Sequence, residues 1–142
     1  VDFYENGFHA LINFDLKGSA AEGYEDLFSR YDNILHNQLE GKSVVNYISS
    51  HDDGSPYDKM RSNPIEAMTR LMLTPGAVQM YYGDESARRL DVKAEGDATL
   101  RSFMNWDLHD VPVKFRGFRA MDVIDHTQRL GRFRDGSLRF SA

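Results

Sequence analysis

The run Ser49-Ser50-His51-Asp52-Asp53 packs an imidazole beside two carboxylates and is the first place to look for chemistry. A neutral histidine donates one hydrogen bond and accepts another, while a carboxylate accepts several. Side by side at the end of a strand, such groups can grip adjacent hydroxyls of a sugar. The plainer alternative is a solvated turn with an aspartate capping a helix. A second polar cluster, Gly83-Asp84-Glu85, offers two more carboxylates. Arg88 and Arg89 follow closely; they are either cleft residues or, as loop arginines usually are, solvated.

Both clusters follow apolar runs that read as strands. Val44-Val45-Asn46-Tyr47-Ile48 precedes the first, and residues 77–82 precede the second. Ala10-Leu11-Ile12-Asn13-Phe14 reads as an earlier strand. Between them lie helices. Tyr24, Leu27, Phe28, Tyr31, Ile34 and Leu35 recur at steps of three and four, with Gly41 as the stop. Ile65, Met68, Leu71 and Met72 line another face. Its start carries a capping Asn63, Pro64 in the first turn and Glu66 three residues after the cap. A polar loop is expected over 49–62 and a longer one over 83–110. A last helix is expected over 113–134, with Phe115, Phe118, Met121, Ile124, Leu130 and Phe133 as its stripe.

Strand and helix thus alternate three times. Strands apolar on both faces predict an α/β fold with a parallel sheet covered by helices. In such folds the C-terminal strand ends carry the chemistry, which is where both clusters fall. Three units are too few to close a barrel, so they leave bare sheet edges and an uncovered inner face.

Composition narrows the partners. A net charge of -5 over 142 residues argues against nucleic acid, which calls for a basic face. There is no cysteine, so disulfides and thiolate metal sites are excluded and the redox compartment stays open. No apolar run approaches the ~20 residues of a membrane helix. The opening Val1-Asp2-Phe3-Tyr4-Glu5 has neither an initiator Met nor a signal-peptide pattern, and it predicts a chain processed, trimmed or cut from something longer.

Five segments, in order, carry a resemblance to one family. The run from Val44 to Asp52 is similar to the seventh-strand motif of the alpha-amylase-family glycoside hydrolases, an apolar strand ending in His-Asp. Leu73-Thr74-Pro75-Gly76-Ala77-Val78-Gln79-Met80-Tyr81-Tyr82-Gly83-Asp84-Glu85 resembles the family's eighth-strand segment over thirteen consecutive positions. Gly7 to Asp15 resembles the sixth strand. Arg101-Ser102-Phe103-Met104-Asn105-Trp106-Asp107 resembles the loop before the last barrel helix, and the stretch from His126 to Arg134 resembles that helix. The resemblance implies a partial TIM (β/α)8 barrel, strands six to eight, with residues 1–142 forming the C-terminal half of an amylase-type catalytic barrel and no complete second domain.

It also implies a chemistry. Family members cleave or transfer alpha-linked glucans by retaining double displacement, with a nucleophilic carboxylate and an acid ~5 Å apart. A third carboxylate holds sugar hydroxyls and favours the oxocarbenium-like transition state. By position, Asp52 matches that third carboxylate and His51 matches its partner on the same ring. Asp53 is expected to be a loop or cap residue. Tyr82, Gly83, Asp84 and Glu85 are expected to shape the barrel mouth. The implied partner is an alpha-glucan or maltooligosaccharide, with no nucleic acid and no membrane. The family often carries calcium, but its usual ligands match nothing here, so no metal or cofactor is assigned.

The departure is as informative. The family's nucleophile and acid end its fourth and fifth strands, and no position of this sequence matches either. The Gly117-Phe118-Arg119-Ala120-Met121-Asp122 run resembles the nucleophile motif Gly-Phe-Arg-x-Asp. Its Arg and Asp are three apart, whereas sharing a strand face needs two, so it reads better as part of the last helix. The chain alone is therefore expected to be inactive, a fragment of a retaining hydrolase or transglycosylase. The alternative is a non-catalytic amylase-like carbohydrate-binding or structural domain, with loop aromatics such as Tyr57 and Trp106 stacking on sugar. Open barrel edges also predict self-association.

Overall fold

The computed structural model describes residues 2–90, 93–112 and 114–140. A short helix α1 (Asp2–Glu5) leads into β1 (Ala10–Asn13), α2 (Leu16–Ser19) and α3 (Tyr24–Asn33). A π-turn over Ile34–Gln38 ends that helix, and Gly41, at φ 80°, turns the chain into β2 (Ser43–Asn46). Then come α4 (Pro64–Leu73), β3 (Ala77–Val78), two short 3-10 turns and the long α5 (Ala120–Phe140).

The strands form one parallel sheet in the order β1-β2-β3, each beside its successor. Register partners share a face, so Leu11, Val44 and Val78 point one way and Ile12, Val45 and Ala77 the other. The first face is covered: Val44 and Val78 pack on a core of Leu16, Leu27, Tyr31, Ile48, Ala67, Met68, Leu71 and Val123. The second face is open, with Ile12 and Ala77 exposed.

The strands are shorter than their apolar runs. A polar chain crosses the sheet where they stop: Asn13 Nδ2 donates to Tyr31 Oη and to Asn46 Oδ1, and Asn46 Nδ2 donates to the Pro75 carbonyl, each at 2.8 Å. The buried Asn46 amide demands partners, and β1 and the turn before β3 supply them, while Tyr31 of α3 takes the other bond of Asn13. Beyond Asn46 the second run leaves the ladder. Among the described residues, 79–82 of the third then have no neighbouring strand, so the expected strand over 77–82 shrinks to Ala77–Val78 after one last bond, Gln79 N–H to Asn46 O at 2.8 Å.

Two helix starts also differ from expectation. Asn63 makes no side-chain cap at α4. Its expected partner Glu66 is taken by Arg70 Nε (2.8 Å) and the Tyr24 hydroxyl (2.6 Å). Asp58 instead fixes the approach to the helix, accepting from the backbone N–H groups of Ser62 and Asn63 just before it. The last helix begins at Ala120; of the expected earlier start, Val113 lies outside the described residues. Phe115 and Phe118 exchange backbone hydrogen bonds of 2.8 and 3.0 Å across a turn made by Arg116 and Gly117, both at positive φ. That turn is incompatible with a helix. Asp122 then caps α5, taking the Arg119 N–H at 3.0 Å and the Arg119 guanidinium, which holds its carboxyl at about 2.

Candidate functional site

The C-terminal ends of β1, β2 and β3 open onto one rim, and buried polar contacts fix its shape. After β2, Tyr47 and Ile48 turn into the core while Ser49 and Ser50 are also buried. Ser49 Oγ donates to Asp84 Oδ2 at 2.5 Å, tying the loop after β2 to the loop after β3. Asp84 also accepts from Arg61 Nη2 at 2.8 Å, and both side chains of that ion pair are almost fully buried. Arg61 Nε reaches on to the Arg88 carbonyl at 2.9 Å.

Arg88 overturns the expectation of a solvated loop arginine. Its side chain is wholly buried. It donates to the carbonyls of Tyr82 (3.2 Å), Ser102 (2.9 Å) and Leu100 (3.0 Å) and lies 4.2 Å over the Tyr82 ring. A guanidinium has five donors and no acceptor, so a ring of carbonyls is what burial requires. Gly83 is obligatory beside it: its φ is 89°, and a Cβ there would lie 2.3 Å from Arg88 Nε. Glu85 folds back to accept the Gly83 N–H at 2.7 Å.

The same bookkeeping separates the two adjacent aspartates. Asp53 points inward. Its carboxylate takes the Lys17 ammonium from the α2 end of the rim, the Tyr47 hydroxyl at 3.0 Å and the Ser55 N–H at 3.1 Å. Burial alone would raise its pKa, but these three donors outweigh it and hold the carboxyl below its ordinary 3.8. Burial, and next the Asp53 acceptor, push the Tyr47 hydroxyl up to about 12. Asp52 points the other way. Its side chain is 62% exposed, with Oδ2 3.7 Å from His51 Nε2, itself 66% exposed. Ser50 Oγ donates to its other oxygen at 2.9 Å.

His51 and Asp52, the two residues singled out from sequence, are therefore brought together at the rim. Of the carboxylates there, Asp53, Asp84 and Glu85 each serve an internal bond, and Asp52 keeps most of its surface open. The His51 carbonyl accepts from Arg101 Nε at 2.9 Å, which ties this loop to the segment on which Tyr81, Tyr82 and Arg88 rest. The Tyr57 ring is half-buried and packs on the core, and its N–H bonds to Ile48 O. Trp106 is exposed, with its ring against His109 at 5.2 Å. Arg89 is exposed and lies over the Phe115 ring. Among the described residues no three carboxylates or imidazoles converge as a metal site requires. No described helix is long and apolar enough to cross a membrane.

The Asp53 cluster predicts a pH dependence. A carboxyl depressed on folding contributes stability that is complete above its unfolded pKa and is lost as pH falls through the folded value. Lys17→Met removes the charged donor. Circular dichroism of thermal unfolding between pH 5 and pH 2 should show the variant losing less stability over that window than the parent. Identical acid slopes would contradict the assignment.

No family model matches the chain. It is 35% identical over 137 residues to the "Periplasmic alpha-amylase" of Escherichia coli (strain K12). That match covers 94% of this chain and 18% of the relative, so the chain spans under a fifth of the relative's length. Almost all of the sequence is thus similar to one segment of an alpha-amylase.

Proposed function

We propose, starting from this similarity to an alpha-amylase segment, that the chain is part of a retaining hydrolase or transglycosylase acting on alpha-linked glucans. In this reading the three strand-helix units belong to a larger parallel barrel. The 1-2-3 strand order supports it, as does the apolar face of Ile12, Val45 and Ala77 left uncovered by helices. Other parts of the complete enzyme supply the nucleophile and the acid, and the chain alone does not hydrolyse glucan.

The observation that carries the proposal is the contrast at the rim: His51 and Asp52 stand exposed together while the neighbouring carboxylates are engaged. Asp52 binds sugar hydroxyls and stabilises the positive charge that develops at the anomeric carbon. Ser50 orients its carboxylate, and His51 bonds a hydroxyl of the same ring.

The stereochemistry of the product tests this. Proton NMR of maltohexaose hydrolysis by the complete enzyme should show the alpha-anomer appearing first, and the 142-residue chain alone should give no turnover. First release of the beta-anomer, or no action on maltohexaose by the complete enzyme, would overturn the proposal.

A further inference from the structure

The turn that presents His51 and Asp52 is tied down on both sides. Before it, Ser49 and Ser50 are buried and Ser49 Oγ is bound to Asp84. After it, the Asp53 carboxylate holds the Lys17 ammonium, the Tyr47 hydroxyl at 3.0 Å and the Ser55 N–H at 3.1 Å. Lys17 is the charged donor of the three, and it reaches across from α2, 36 residues away. The two side chains are 24% and 15% exposed, so water screens this pair less than it screens a surface ion pair. The ammonium also comes from a fixed base. Leu16, next to Lys17, is wholly buried. Asn13 Oδ1 accepts the Asp15 N–H at 3.1 Å, and the Asp15 carbonyl accepts the Gly18 and Ser19 N–H groups, both at 3.1 Å, and Ser19 Oγ at 3.0 Å.

Asp52 has no such anchorage of its own. Its carboxylate takes a bond from Ser50 Oγ at 2.9 Å and stands 3.7 Å from His51 Nε2, with 62% of the side chain exposed. An exposed side chain takes its direction largely from the backbone that carries it. The Asp52 Cα lies ~3.8 Å from that of Asp53 across one peptide bond. Whatever holds Asp53 therefore limits where Asp52 can point. Burial and Asp53 raise the Tyr47 hydroxyl most, and the Asp52 charge adds to them, so Asp52 lies within electrostatic reach of the cluster.

We infer that Lys17 is a positioning residue: by gripping Asp53 it fixes the turn so that the Asp52 carboxylate faces the reacting sugar. This rests on the reading of Asp52 given above. Without the ammonium, Tyr47 and Ser55 still bond to Asp53, so the fold survives while the turn loosens. A charge displaced slightly from its working position loses rate more than it loses substrate binding.

The test uses the complete enzyme on maltohexaose, at a temperature where circular dichroism shows every variant folded. Lys17→Met should lower kcat about tenfold with KM changed by less than about twofold, and Lys17→Arg should recover most of the loss. A double-mutant cycle separates positioning from general loosening. In an Asp52→Asn background, Lys17→Met should lower kcat by less than about twofold, because the charge through which Lys17 acts is already gone. A tenfold fall in that background, or unchanged kcat in Lys17→Met, overturns the role of Lys17 and leaves that of Asp52 standing. Full turnover in Asp52→Asn itself would instead remove the reading beneath it.

Discussion

The Arg61→Met chain should melt about 10–20 °C below the parent, the largest loss of stability expected from a change at this rim. The side chain replaced is one half of an ion pair from which water is excluded. Its removal leaves the Asp84 carboxylate buried with the Ser49 hydroxyl as its remaining side-chain donor. Leaving one buried charge uncompensated costs about 3–5 kcal/mol, against about 5–15 kcal/mol of stability for a whole domain. The pair itself is not worth that much, because each charge is already desolvated. The double variant Arg61→Met with Asp84→Leu should therefore recover part of the loss. Thermal unfolding followed by circular dichroism reads both. A single variant melting within a few degrees of the parent would mean that Asp84 has another route to water or charge.

The same pair explains why part of this rim was hidden in the sequence. Arg61 sits in a polar loop, and nothing local marks it for burial. Its partners, Asp84 and Arg88 O, lie 23 and 27 residues away. Arg88 likewise reads as a loop cation until the carbonyls of Tyr82, Leu100 and Ser102 close around it. Long-range satisfaction of buried donors has no periodicity, so pattern reading misses it. The apolar stripes fared better. Leu27 and Tyr31 in α3 and Met68 and Leu71 in α4 fall in the core, as steps of three and four require. Spacing misled where it was accidental: Phe115 and Phe118 are three apart, but Gly117 between them permits a tight turn. That glycine was the available signal. The adjacent pair Asp52 and Asp53 could not be told apart by composition. Resemblance pointed to Asp52, and the inward donors Lys17 and Tyr47 account for Asp53.

Asp52→Asn should lower kcat of the complete enzyme by about 10²–10³-fold while leaving its fold intact. The substitution keeps the shape and the capacity to hydrogen-bond, and removes the charge. If that charge faces the anomeric carbon, its stabilisation is greatest in the transition state, so kcat falls more than substrate affinity. Stability should change by less than about 0.5 kcal/mol, since the side chain is exposed and its bond from Ser50 can be kept. Asp53 is the matched control: Asp53→Asn should act first on stability, through the lost Lys17 bond.

Steady-state hydrolysis of maltohexaose by the parent, Asp52→Asn and Asp53→Asn enzymes, each first shown to be folded, is the most direct comparison. The expected outcome is a collapse of turnover in Asp52→Asn with an unshifted melting curve. Undiminished turnover in that variant would contradict the claim that this carboxylate serves the reacting sugar.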